Sequence, residues 1–244
     1  MGKRKGFKNV ITAISTLKEQ GVLTIDMQEA FRRGSVDDLI YSADDAVLIK
    51  HSCGAHMLWA ATAEAGAVAL REAPKMAVCV VHGQAALDAV ISTRKGFTLD
   101  KPCKQFCRYS MQRRKTAFPF PIRALTMDDL PKVAAHYKLE SKEDIAATIE
   151  RGLMFGAEIG GELAGFIGMH TDGSVGMLEV FKKYRKRGVG SALVAHMDNF
   201  HALRGWTVYG QVYTDNEVSL TMQRSLGLAE SEDCIRWIGG KGEF

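Results

Sequence analysis

The residues best suited to chemistry lie in one stretch, KKYRKRGVGSALV at 182–194, where Arg185, Lys186 and Arg187 precede Gly188 and Gly190. Ahead of it SVGMLEVF (174–181) reads as a strand, and behind it Val189, Leu193, Met197 and Phe200 recur at helical spacing. A strand therefore feeds the glycine-rich start of a helix. The first N–H groups of a helix have no partners within it, and the aligned peptide dipoles make that end positive. Such an end binds anions, and glycines leave it uncovered. Arginine can fork onto phosphate oxygens, so the expected chemistry is the grip of a diphosphate. Alone, R-x-x-G-x-G also suits a tight turn with solvated basic residues. It is not a P-loop, since no Gly-Lys-Ser/Thr closes it, and it lacks the third glycine and acidic strand end of a dinucleotide fingerprint.

The elements around this stretch fall into two series. In the first, residues 8–20 and 27–31 read as helices, and AVLIKHS (46–52) and HMLWAAT (56–62) as a hairpin. A helix over 63–71, a strand over 76–82, a helix over 85–93 and a strand over 105–111 follow. QRRKTAFPFP (112–121) interrupts the pattern with basic residues and two prolines, which favour extended backbone. The second series opens with strand 122–125. Thr126 then caps a helix through Tyr137 and Ser141 caps another through Arg151. MFGAEIG (154–160) and ELAGFIGM (162–169) form a hairpin about Gly160-Gly161, and strand 174–181, the glycine-rich helix, a strand, a helix and a last strand complete it. We expect domains at 1–115 and 116–244. The first repeats the element order of the second more loosely, which makes an internal duplication a hypothesis from order alone.

Composition bounds the rest. The 244 residues are 46% hydrophobic and 25% charged with Pro 5, a globular usage with material for two cores. No run reaches the roughly 18 apolar residues of a membrane helix, and MGKRKGFK does not read as a signal peptide, so the expectation is a cytoplasmic chain without a membrane partner. Residues 1–115 carry 18 Lys and Arg against 11 Asp and Glu, and 116–244 carry 14 against 17. Part of the first excess lies at Lys3, Arg4, Lys5 and Lys8, read as a solvated tail, and at 113–115, read as a linker; no aromatic-and-basic motif supports nucleic acid as a partner. Cys53, Cys79, Cys103, Cys107 and Cys234 form no CxxC pair and read as reduced thiols, with no metal site expected.

MLEVFKKYRKRGVGSALV (177–194) resembles the acyl-CoA pyrophosphate motif of the GNAT acyltransferase superfamily. WTVYGQVYTDNEVSLTMQRSLGL (206–228) is similar to that superfamily's fifth strand, Asn-containing turn and helix ending in Leu-Gly-Phe, here Leu226-Gly227-Leu228. The likeness covers roughly 120–240 and looks closest to the glycine N-acyltransferase-like branch, some members of which carry a degenerate acyltransferase-like half in front. It implies an α/β fold with a mixed central sheet and flanking helices, preceded by such a half. It also implies that Leu178, Glu179 and Val180 offer backbone to the pantetheine arm and that Arg185, Lys186, Arg187, Gly188, Val189, Gly190 and Ser191 hold the pyrophosphate. Asn216 and Ser219 would lie near the sulfur end, and the Val180 N–H would serve the oxyanion. Residues 56–74 contain no R-x-x-G-x-G, so the first half should not bind coenzyme A in this way.

Two departures bear on catalysis. The usual tyrosine acid aligns with Gln223, which delivers no proton, leaving water, Tyr213 or Ser219 as substitutes; coenzyme A leaves readily as a thiolate near its own pKa. The glycine-acyltransferase glutamate aligns with Ser174. Glu179 is the nearest carboxylate, unless it pairs with Lys182 or Lys183, and Glu158 and His170 stand as outsiders, His170 reading first as a turn residue. His196 and His201 read as solvated, and Trp206, Trp237 and Met222 as core. The reading is an N-acetyltransferase that uses acetyl-CoA, or another acyl-CoA, as cosubstrate and acts on a primary amine of a small molecule or amino acid by direct attack in a ternary complex. A protein N-terminus or lysine as acceptor and a non-catalytic acyl-CoA sensor or scaffold are the alternatives; homodimerisation is left open.

Overall fold

A computed structural model describes residues 2–109, 112–113 and 118–240, with side chains from Asn9 onward. The chain divides into two compact units, one of residues up to Cys107 together with those from Gln211 onward, the other Arg108–Gly210.

The first unit opens with α1 (Gly2–Glu19) and α2 (Ile25–Arg33), followed by β1 (Val36–Ser42), β2 (Ala46–His51) and β3 (His56–Ala60). Then come α3 (Ala63–Arg71), β4 (Val78–His82), α4 (Gln84–Thr93), β5 (Phe97–Leu99) and β6 (Cys103–Arg108). β1 has no counterpart in the sequence reading: VDDLIYS begins with two acidic residues, and its exposure does not alternate cleanly. The predicted strand 105–111 begins earlier, at Cys103, and its last two residues lie outside the described ones, as does 114–117 of the interrupting segment. The basic start read as a solvated tail is helical backbone from Gly2.

In the second unit β7 (Ile122–Ala124), α5 (Leu130–His136), α6 (Lys142–Glu150), β8 (Met154–Ile159), β9 (Glu162–Met169), β10 (Val175–Val180) and α7 (Val189–Ala202) follow in order. The chain then runs through β11 (Val208–Tyr213), α8 (Glu217–Ser225), β12 (Ala229–Glu230) and β13 (Ile235–Gly240). The helix expected from Thr126 to Tyr137 is split. Thr126 and Asp129 form a capping box over a short 3₁₀ turn, and Pro131 stands in the first turn of α5, where its missing N–H costs nothing.

One sheet runs β1-β2-β3-β4-β13-β6-β11, antiparallel at β1·β2 and β2·β3 but parallel at β3·β4. Helices flank it: α3 and α4 bury Ala65, Ala69, Leu70, Leu87 and Val90 on one face, and α1 and α2 bury Leu17, Met27 and Ala30 on the other. β13 comes from the end of the chain yet pairs with β4 from Ile235↔His82 to Gly239↔Val78. The other sheet is an antiparallel ladder, β10-β9-β8-β7.

A polar cluster is sealed inside the first unit. His82 Nε2 lies 2.9 Å from both carboxylate oxygens of Asp26, and its Nδ1 lies 3.0 Å from the Leu58 carbonyl oxygen. Both side chains are fully buried. The Gln105 amide donates to Asp26 at 3.0 Å and to the Leu23 carbonyl at 2.7 Å, so the cluster ties α2 to β3, β4 and β6. Cys79 is buried in the same sheet, and desolvation pushes its thiol up to about 12, which makes it the inert small hydrophobe expected.

The α3 start is closed by its own chain. Thr62 Oγ1 accepts from the Ala65 N–H at 3.1 Å and satisfies the helix end directly after β3. Thr62→Ala should lower the unfolding free energy by about 1 kcal/mol, measured by urea denaturation.

Candidate functional site

The strand that carries the expected backbone contacts is an edge strand with a bulge. β10 pairs with β9 at Val175↔Met169 and Gly176↔Gly168, then resumes at Glu179↔Phe166 and Val180↔Gly165, so one extra residue is inserted. The insertion falls on Met177, buried with φ 48, a left-handed conformation that costs energy for a residue with a side chain. His170 N–H donates to Ser174 O at 2.9 Å and Phe181 N–H to Ala164 O at 3.0 Å, which sets the phase of the ladder on each side of the bulge. By that phase the N–H groups of Met177, Leu178 and Val180 point away from β9. The first lies toward Tyr137. Leu178 and Val180 thus present adjacent outward amides on a strand edge without a ladder partner among the described residues.

Directly after Val180 the loop is pinned by two buried aromatics. Phe181 packs 4.2 Å from the His136 ring and 6.0 Å from Phe166, and Tyr184 donates from its hydroxyl to Glu162 at 2.8 Å. These anchors turn the residues between and after them outward: Lys182, Lys183, Arg185, Lys186, Arg187 and Gly188 are all exposed. Lys183 pairs with Glu162. Arg185 folds back, its Nε donating to the Val180 carbonyl at 2.9 Å and its Nη2 to Glu179 at 3.0 Å. The carboxylate expected to pair with Lys182 or Lys183 pairs with Arg185 instead.

α7 starts at Val189 with Gly188 as its N-cap at φ 77, and no side chain caps it. Lys186 is also left-handed, at φ 60. Left-handed residues alternating with others near a helix start turn successive N–H groups to one side, which makes a nest for an anion. A Cβ at Gly188 would meet nothing within 4 Å, so the cradle is open. Of the apolar face behind it, Val189, Leu193 and Met197 are buried and Phe200 is half-buried. His201, read as solvated, is fully buried; its Nδ1 lies 2.9 Å from the Met197 carbonyl oxygen, a position four residues back that helical geometry supplies. His196 is half-buried against Phe155, and burial holds its pKa below the ordinary value. A hollow of about 270 Å³ between Pro119–Pro121, Ile159, Gly160 and Arg187 adjoins the loop.

Tyr213, Asn216 and Ser219 belong to the other unit. The Tyr213 hydroxyl donates to Asp100 at 2.7 Å, and Asn216 caps α8 by accepting from the Ser219 N–H at 3.1 Å. Asn216 therefore has a structural task that needs no ligand. Gln223 is half-buried, as are Trp206, Trp237 and Met222. Glu158 is bound to Arg123 at 2.7 Å, and Arg123 also holds Asp129. Among the described residues no group of His, Cys, Asp and Glu side chains could hold a metal ion, and no helix is long and apolar enough to cross a membrane.

The first unit repeats the order strand, strand, strand, helix, strand, helix at β1 to α4, but not the site. Its third strand, β3, is zipped to β4 from His56↔Cys79 to Trp59↔His82, and α3 follows without a basic glycine loop. Where β10 keeps an edge, β3 has none.

An open bulged strand, a glycine-capped helix start behind it and a basic loop between them thus follow one another within the second unit. Residues 120–228, a little under half of the chain, match the model of the acetyltransferase (GNAT) family, whose members take acyl groups from acyl-CoA, and the chain is an acyltransferase. No curated protein matches it in sequence. Among solved structures, a Drosophila melanogaster protein is similar over 95% of this chain and 95% of its own, with TM-score 0.61 and 18% identity. A GCN5-related N-acetyltransferase from Kribbella flavida is similar over 91% and 95%, with TM-score 0.58 and 10% identity. A GNAT-family acetyltransferase from Colwellia psychrerythraea is similar over 93% and 97%, with TM-score 0.51 and 12% identity. At these identities the likeness is one of fold.

Proposed function

We propose that this protein transfers an acetyl group from acetyl-CoA to the primary amine of a small molecule or amino acid, by direct attack of the amine while both substrates are bound. The observation that carries the reading is the adjacency of the uncapped α7 start to the unpaired edge of β10. The N–H groups of Val189, Gly190 and Ser191, with Lys186 and Arg187, would receive the pyrophosphate. Leu178, Glu179 and Val180 would pair through their backbone with the pantetheine arm. Bound acetyl-CoA would supply an activated carbonyl carbon and a thiolate leaving group; the chain would supply position and an outward N–H for the oxyanion, that of Val180 or of Leu178. In this reading 116–244 is the acyl-CoA-binding domain and 1–115 a degenerate copy, and the chain stands with the glycine N-acyltransferase-like branch. Glu179 is held by Arg185 and does better as a brace for the loop than as a base. With Gln223 in the usual tyrosine position, the thiolate leaves without a dedicated acid.

Calorimetric titration with acetyl-CoA, followed by a thiol-release screen against amino acids, polyamines and aminoglycosides, tests this. Micromolar binding with amine-dependent release is expected, and absence of binding would overturn the reading. Arg185→Ala removes a positive charge and the tie to the Val180 carbonyl, and should raise the acetyl-CoA Kd about tenfold, equivalent to about 1.4 kcal/mol.

A further inference from the structure

We propose that His170, oriented by Glu140 against Gly176 of β10, is the base that takes the proton of the acceptor amine. The inference rests on the amine-acetylating reading above and assigns to it a residue.

The geometry begins with a glycine. A Cβ at Gly176 would stand 2.1 Å from His170 Nε2 and 2.6 Å from its Cδ2, so the imidazole fills the side-chain space that Gly176 leaves empty on β10. Gly176 immediately precedes the bulge. Leu178, with its outward N–H, lies two residues further along β10. His170 Nδ1 is 2.7 Å from Glu140 Oε1. A carboxylate only accepts, so Nδ1 carries the proton and Nε2 keeps its lone pair, the arrangement of an oriented base. Glu140 belongs to the same α5–α6 connection as Tyr137, which lies beside Met177 of the bulge, so one short segment lies beside the bulge and orients the imidazole.

The charged groups acting on His170 are Glu140 from that connection and Asp172 from its own turn. Asp172 is held by the Ser174 N–H and hydroxyl, and its carbonyl by the Tyr209 hydroxyl. Burial works to lower the His170 pKa, but the Glu140 hydrogen bond and the Asp172 and Glu140 charges outweigh it and hold it above the ordinary value. About a quarter of the side chain is exposed, which leaves a path for the amine.

The step balances. The ammonium gives one proton to Nε2, and the neutral nitrogen forms the C–N bond at the thioester carbon. The C–S bond breaks with its electron pair on sulfur, the second nitrogen proton passes to the thiolate, and the imidazolium releases its proton to water.

The test uses the full-length protein with acetyl-CoA and with spermidine and glycine as acceptors, thiol release being followed from pH 5 to 9. Rate should rise with pH through the raised His170 pKa. His170→Gln should lower kcat/KM for the amine about 100-fold and abolish that acidic limb, with the acetyl-CoA Kd unchanged by calorimetry. Glu140→Gln should keep the limb and move it to lower pH. Gly176→Ala, which displaces the imidazole without removing it, should reproduce the loss. A His170→Gln protein with the wild-type rate and pH profile would overturn the assignment while leaving the acetyltransferase reading intact. A wild-type protein that binds acetyl-CoA but releases no thiol with any amine would overturn both.

Discussion

Acetyl-CoA affinity is expected to fall at least about 100-fold when Gly190 is replaced by aspartate. Gly190 is the second residue of α7, behind an N-cap that contributes no side chain, so its neighbours' N–H groups face outward together with the positive end of the helix. A carboxylate placed there supplies the helix with the anion that the proposed pyrophosphate would otherwise supply, and it repels that pyrophosphate. Two unit charges about 4 Å apart near a protein surface interact by about 4 kcal/mol, and each 1.4 kcal/mol is tenfold in Kd. The loss cannot be ascribed to a damaged fold, because an acidic residue in the first turn favours a helix. Thermal stability should be unchanged or slightly higher. Gly190→Ala, which adds a Cβ without charge, should change the Kd by no more than a few-fold. Calorimetric titration of the three proteins checks the expectation, and a Gly190→Asp protein with a Kd within threefold of wild type would remove the phosphate cradle from the proposal.

The largest effect on stability is expected at Asp26. Its carboxylate sits inside the first unit against His82, whose two ring nitrogens face a carboxylate and a carbonyl, both acceptors only. Asp26→Ala leaves His82 Nε2 and one Gln105 N–H buried without this acceptor, and each buried polar group left unsatisfied costs about 1–3 kcal/mol. Against a typical total of about 5–15 kcal/mol, much of the margin disappears. Urea denaturation at pH 7 measures this, and a loss below about 1 kcal/mol would contradict it.

The pH dependence at this cluster has a definite sign. Burial works to raise the Asp26 pKa, but the His82 charge and the hydrogen bonds from His82, Gln105 and the Met27 N–H outweigh it and hold the carboxyl below the ordinary value. A lowered pKa in the folded state means stability that is present above the unfolded pKa of about 3.9 and lost as pH falls through the folded one. The wild type should therefore lose stability below about pH 4 more steeply than Asp26→Ala.

Local patterns carried much of the molecule. The strand-to-helix passage at 174–202, the hairpin about Gly160-Gly161 and the caps at Thr126 and Ser141 each follow from a few neighbouring residues, and all are present. The anion-binding character of 185–191 was legible for the same reason: a helix start, glycines and arginines act within one turn of chain.

Relations between distant residues were not legible in this way. β1 alternates too weakly to be read as a strand, and its pairing with β2 makes it one. His201 looked solvated because it follows a polar stretch, yet packing buries it completely. Asp26 and His82 are separated by 56 residues, and no spacing rule connects them. The same holds for Glu140 and His170, 30 apart, which meet only because the α5–α6 connection lies beside the bulge of β10. The sequence by itself determined where a basic loop meets a glycine-rich helix start, since that depends on residues adjacent in the chain. Which histidine packs against β10, and which strands close or stay open, only the tertiary structure decided, because burial and pairing are properties of what packs against a residue and not of its neighbours in sequence.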